Sequence, residues 1–194
     1  MTPLVFVWPY ALLFWGVFLW AMAPEGAIVR KARAAQQRSD ARSLQVIVIG
    51  QSVAGIAAFA LAWVPSLQFA PPYRKIAFFA GVALIVAGSF LRRHCWRMLG
   101  SSFIGDVQAR ADQEVVSRGA YRFLRHPSYT AGIILNAGSG IALGSWVSAA
   151  LMALSTFAVY AYRMRVEERA LLSVVGEPYR QFMSTRKRLI PFVY

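Results

Sequence analysis

The sequence predicts an all-α, polytopic membrane protein with about five transmembrane helices, the last two forming a tight hairpin. Three observations predict it. Of its 194 residues 58% are hydrophobic and only 15% charged, where a soluble domain carries about a quarter. The apolar residues fall in long uncharged runs, and a helical span needs roughly 20 of them. The charge is strongly basic, with 21 Lys and Arg against 8 Asp and Glu, and the basic residues cluster between the apolar runs. Span-flanking charge of one sign is a topology signal, so membrane lipid is the expected partner and nucleic acid is excluded.

The first run, about Pro3 to Ala23, is uncharged and carries Trp8, Tyr10, Trp15 and Trp20, rings that suit a membrane interface. No basic stretch precedes it and no small-residue cleavage site follows, so it reads as a retained helix and not as a signal peptide. A hydrophilic connection from Glu25 to Arg42 leads to the second run, about Leu44 to Val64. Pro65, Pro71 and Pro72 break the chain before the third run, about Ile76 to Leu91, which ends at Arg92, Arg93 and Arg97. Residues 100–125 are polar and charged. The fourth run, about Tyr129 to Leu143, and the fifth, Val147 to Tyr162, are short and joined only by Gly144-Ser145-Trp146. Such a link demands a close hairpin, which Ala131, Gly132, Ala137, Gly138 and Gly140 on the fourth run permit.

Loop charge sets the expected orientation. The 25–42 connection holds five basic residues, 92–125 seven, and the stretch from Arg163 onward seven, whereas Arg74 and Lys75 stand alone between the second and third runs. Counting alternately places the N-terminus outside and the C-terminus in the cytoplasm. Residues 92–127 and 163–194 then share one cytoplasmic face.

Function classes narrow in the same way. Cys95 is the only cysteine, and His94 and His126 are the only histidines, so neither a disulfide nor a thiolate metal site is available. No metal is expected, and His94 and Cys95 read as structural. No GxGxxG follows a strand, which leaves a Rossmann cofactor site unsupported.

Two segments concentrate chemistry. Gly119 to Tyr129 reads GAYRFLRHPSY, with Pro127 placed to open a helix. By spacing alone Arg125, His126 and Tyr129 serve as an interfacial anchor; the sharper reading is a polar-ligand site where helix N–H groups, an imidazole and a phenol converge. Directly after the fifth run, Arg163 with Glu167 and Arg165 with Arg169 stand four apart on shared helix faces, with Glu168 beside Glu167. They are either exposed ion pairs of little worth or functional charges at membrane depth. If the two runs form a hairpin, His126 and Glu167 face one small space.

The order of these strings resembles the isoprenylcysteine carboxyl methyltransferase family: Arg125–Tyr129, then Arg163 with Glu167, Glu168 and Leu171, then Gly176 with Tyr179, then Ile190-Pro191-Phe192, with Ser102-Phe103 and Val115-Val116 followed by Gly119 and Tyr121 upstream. The resemblance covers about 95–194 and separates three N-terminal helices (1–95) from a catalytic region (96–194) within one integrated domain. Gln113, Ala131 and Phe182 depart from the family pattern, which weakens the substrate assignment more than the cofactor assignment.

The resemblance implies S-adenosyl-L-methionine as cofactor, held in a cytoplasmic pocket by Gln113, Val115, Val116, Gly119, Tyr121, Leu124, His126, Pro127, Tyr129 and Glu168. It implies methyl transfer to the carboxylate of a prenylated cysteine or another lipophilic carboxylate, with Arg163 and Glu167 as catalytic residues. Related acceptors are a phospholipid amine or small amphiphile. A nicotinamide-dependent membrane reductase and a non-catalytic binding or transport protein are the remaining alternatives.

Overall fold

The computed structural model describes residues 1–34, 43–100 and 115–190. Five long helices dominate it: α1 (Tyr10–Ala34), α2 (Ser43–Leu61), α3 (Arg74–Leu99), α4 (Pro127–Ala142) and α5 (Trp146–Val174), followed by the short α6 (Glu177–Thr185). Isolated β-bridges are the only extended pairing among the described residues. The segments Ser43–Leu61, Pro71–Leu99 and Trp146–Val174 are long and apolar enough to cross a membrane. The 16 residues of α4 reach about 24 Å at 1.5 Å per residue, short of the hydrocarbon thickness of roughly 30 Å.

Two boundaries differ from the sequence reading. The first run opens with a 3-10 turn at Leu4–Phe6, and α1 starts only at Tyr10 and continues through Pro24. The fifth run does not end at Tyr162: α5 is a single helix of 29 residues, about 43 Å long. Arg163, Glu167 and Glu168 therefore sit on the continuation of α5 itself and not beyond its end.

The α4–α5 hairpin forms as expected. Gly144 adopts φ +81°, a conformation that only glycine adopts readily, and the Ser145 side chain caps α5 by accepting from Ser148 N at 3.2 Å. The small residues of α4 divide between two neighbours. A Cβ on Gly140 would lie 2.5 Å from Ser148 O, and one on Gly132 would lie 2.7 Å from the Tyr160 ring, both on α5. Gly138 instead meets α3, where its Cβ would lie 2.7 Å from Leu84 Cβ and 2.8 Å from Gly81 O. A Cβ on Gly88 would lie as close to the Ala131 carbonyl oxygen, at 2.8 Å. Thus α4 is packed backbone-to-backbone against α3, a contact the hairpin signal did not reveal.

Phe14, Phe78, Ile85, Leu135 and Leu143 fill the fully buried centre. One end of the bundle gathers the N-terminal turn, the α2–α3 loop and the Gly144 turn. There Gln68 Nε2 donates to Met1 O at 2.6 Å, Arg74 Nη2 to Thr2 O at 2.5 Å, and Phe69 N to Gly144 O at 2.9 Å. The opposite end carries Glu25, Arg92, the start of α4, the charged half of α5 and the chain after α6. That end holds the candidate site.

Candidate functional site

The site begins with Pro127, whose missing N–H suits the first helical position of α4. His126 precedes it with a buried ring, and its Nε2 lies 3.1 Å from Glu168 Oε1. Arg125 Nη1 reaches the same oxygen at 3.0 Å, while Arg188 Nη2 donates to Glu168 Oε2 at 2.8 Å. Glu168 is only 3% exposed and is thus paid for by three cationic or polar partners, as a buried carboxylate must be.

The neighbouring Glu167 points elsewhere, because successive residues on a helix are turned by about 100°. It accepts from Tyr129 Oη at 2.8 Å. The Tyr129 phenol also bonds the Arg163 guanidinium, and Arg163 Nη1, buried, donates to Ser43 Oγ at 2.6 Å at the start of α2. His126 and Glu167 were expected to face one small space; within it the structure pairs His126 with Glu168 and Tyr129 with Glu167.

Residues 187–189 are held by the site and hold it in turn. Leu124 forms a parallel bridge with Lys187, and the backbone N–H groups of Arg125 and His126 donate to Lys187 O (2.8 Å) and Arg188 O (3.0 Å). Thr130 Oγ1 donates to Leu189 O at 2.7 Å. Arg188 reaches Glu168 through this pairing.

Tyr121 and Tyr179 are buried beside the cluster. Burial, followed by the neighbouring Cys95 thiol and the Glu167 carboxylate, raises the Tyr121 phenol well above its ordinary pKa. Burial, followed by Glu167 and Glu168, does the same to Tyr179. Both stay protonated at neutral pH, and neither is suited to act as a base.

Of the sequence-derived residues, the structure gathers Leu124, His126, Pro127, Tyr129, Arg163, Glu167 and Glu168 at one end of α4 and α5, with Tyr121 adjoining. Val115 and Val116 are half-buried on the segment leading in. Gly119, at φ +59°, approaches Met98 and His94 at the end of α3. Gln113 lies outside the described residues, as do Ser102, Phe103, Pro191 and Phe192.

Sequence reasoning missed Arg92 and Glu25. Arg92, counted only as span-flanking charge, is buried and pairs with Glu25 of α1 through a two-point fork. The rarity of acids in the chain, with Glu25 set against an apolar run, was the available signal.

The comparisons with known proteins fit this geometry. The family model for phospholipid methyltransferases matches residues 76–177, more than half of the chain, and the chain belongs to that family. Protein-S-isoprenylcysteine O-methyltransferase B of Arabidopsis thaliana is 29% identical over 115 residues, covering 58% of this chain and 58% of its own. The Schizosaccharomyces pombe protein-S-isoprenylcysteine O-methyltransferase is 28% identical over 116 residues, covering 59% and 49%. The solved eukaryotic intramembrane Ras methyltransferase, an isoprenylcysteine carboxyl methyltransferase, superimposes with a TM-score of 0.63 at 25% identity, over 73% of this chain and 52% of its own. The resemblance read from the motifs is therefore shown. The chain spans about half to three-fifths of the length of these relatives.

Proposed function

We propose that this protein transfers a methyl group from S-adenosyl-L-methionine to the carboxylate of a prenylated cysteine, or of a similar lipophilic acid, at the cytoplasmic face of a membrane. The observation that carries the reading is the joining of α4 and α5 by two side-chain pairs, His126–Glu168 and Tyr129–Glu167, in a chain of this family.

The donor set suits the cofactor. Glu167 and the tilted ring pair of Tyr129 and Tyr160, with centroids 4.7 Å apart, make a surface that favours a sulfonium cation. Arg125 contributes a buried Nε without a hydrogen-bond partner, a donor for an anionic or heterocyclic group. S-adenosyl-L-methionine, when bound, supplies an electrophilic methyl on sulfur. Tyr121, Leu124, His126, Pro127, Tyr129 and Glu168 are assigned to hold it, with Val115, Val116 and Gly119 as part of the wall.

The protein's own work is positional and electrostatic. A carboxylate acceptor is already ionised near neutral pH, so no base is needed. Arg163 is placed to orient that carboxylate through its guanidinium, and Glu167 fixes the Tyr129 phenol beside Arg163. The prenyl chain stays among the apolar helices, and bringing nucleophile and donor into line accounts for the rate gain. A lipid-amine acceptor would require loss of a proton, and the raised pKa values of Tyr121 and Tyr179 suit neither to accept it.

The test is calorimetric titration of the detergent-solubilised protein with S-adenosylmethionine, followed by transfer of labelled methyl to a farnesylated cysteine analogue. Saturable binding that weakens about tenfold or more in Glu167→Ala and His126→Ala supports the reading, that factor corresponding to about 1.4 kcal/mol. A folded wild type that releases no heat removes it.

A further inference from the structure

Arg92 belongs neither to the RHPSY string nor to the Glu168 cluster, yet it links four helices. From α3 its Nε and Nη2 grip both carboxylate oxygens of Glu25 on α1, with Nη2–Oε2 at 2.9 Å. Its Nη1 donates to Ser128 O at 2.7 Å and lies 3.2 Å from Ser128 Oγ, in the first turn of α4. The guanidinium sits 4.9 Å from the centre of the Trp96 ring and 5.7 Å from that of Tyr160 on α5. Tyr160 packs on Tyr129, which donates to Glu167.

A buried ion pair is a poor device for stability alone, since apolar residues of equal volume commonly do as well or better. What they cannot do is fix a carbonyl in position. The planar fork engages Glu25 and Ser128 at the same time, which a point-charge ammonium does not reproduce. Ser128 immediately precedes Tyr129 and follows Pro127.

We infer that Arg92, oriented by Glu25, is a positioning residue for the methyl-transfer site: it fixes Ser128 and the Tyr160–Tyr129 ring contact, and through them the Tyr129–Glu167 pair. The inference rests on the function proposed above and adds to it the route from α1 and α3 into the site.

The experiment compares wild type with Arg92→Met, Arg92→Lys, Glu25→Gln, Tyr129→Phe and the double variant Arg92→Met/Tyr129→Phe, all in detergent. It measures the Kd for S-adenosylmethionine, the number of binding sites, and kcat and KM for a farnesylated cysteine analogue. Arg92→Met is expected to lower kcat/KM by about 10-fold or more, the scale of a misplaced reacting group, and to raise the Kd. Arg92→Lys should recover part of that loss. In the Tyr129→Phe background Arg92→Met should cost less than about 2-fold, because the link is already cut.

A merely structural role lowers the number of sites or the melting temperature and leaves Kd and KM where they were; that result overturns the inference. Fully multiplicative losses in the double variant overturn it as well. Should Arg92→Met fail to fold, Arg92→Lys and Glu25→Gln decide by the same criteria. A wild type that binds no S-adenosylmethionine sinks the methyltransferase reading together with this inference, whereas normal binding and transfer in the Arg92 variants sinks the inference alone.

Discussion

Glu168 and Glu177 are both acids within hydrogen-bonding or ion-pairing reach of an arginine, but their surroundings assign them different weights. Glu168 is buried among Arg125, His126 and Arg188. Glu177 faces solvent, with side-chain exposures of 66% for itself and 72% for its partner Arg180. Removing one member of a buried, hydrogen-bonded group strands the others, at a cost of about 3–5 kcal/mol. An exposed pair is worth roughly 0.2–1 kcal/mol. Glu168→Gln should therefore unfold at a clearly lower temperature than wild type, and Glu177→Gln should be close to unchanged, as measured by thermal melting in one detergent. Equal melting temperatures for the two variants would contradict the assigned burial. At this scale the sequence was partly legible. His126, Tyr129 and the adjacent glutamates stand in short strings whose spacing survives in any helical reading. Which glutamate meets which partner depends on the rotation of α5 relative to α4, and no local pattern encodes that. The Arg92–Glu25 pair, 67 positions apart, left still less trace.

Between elements, the decisive feature is how closely α3 and α4 approach. The hairpin of α4 and α5 was readable because its link is too short for any other arrangement. The α3–α4 contact was not, since the chain between them, residues 100–126, is long enough to permit many. Small residues told that close packing would occur but not with which neighbour: Gly132 and Gly140 turned out to serve α5, and Gly138 serves α3. The consequence is measurable at Gly88. A Cβ there would lie 2.8 Å from Ala131 O and Leu135 N, backbone atoms that cannot rotate away. Gly88→Ala should force the helices apart and destabilise the protein by about 1–3 kcal/mol, the usual cost of overpacking. Gly16 on α1 has open space around it, so Gly16→Ala should be neutral or stabilising by up to about 1 kcal/mol through helix propensity. Because α4 also carries Pro127 and Tyr129, Gly88→Ala should weaken S-adenosylmethionine binding together with stability, whereas Gly16→Ala should alter neither adversely.

Across the whole molecule, the two ends of the bundle differ in a way that bears on how it sits in a membrane. The end built from the N-terminal turn, the α2–α3 loop and the Gly144 turn is sparsely charged, with Arg74 and Lys75 as its basic residues next to the loop. The opposite end carries Arg92, Arg93, Arg97, Arg125, Arg163, Arg165, Arg169 and Arg188. Basic residues accumulate on the cytoplasmic side of spans, so the candidate site should face the cytoplasm, where a water-soluble cofactor is available. A cysteine-accessibility experiment decides it cleanly, because the native Cys95 is buried and gives little background. Ser66, exposed in the α2–α3 loop, and Ser184, exposed at the end of α6, mark the two ends. In intact cells or right-side-out vesicles a membrane-impermeant maleimide should label Ser66→Cys directly and Ser184→Cys only after permeabilisation. The reverse pattern would invert the topology and put the site on the far side from the cofactor proposed for it. Labelling of both without permeabilisation would mean that α2, α3 and α5 do not separate the two ends across a bilayer, and the membrane-spanning reading of those three helices would fail with it.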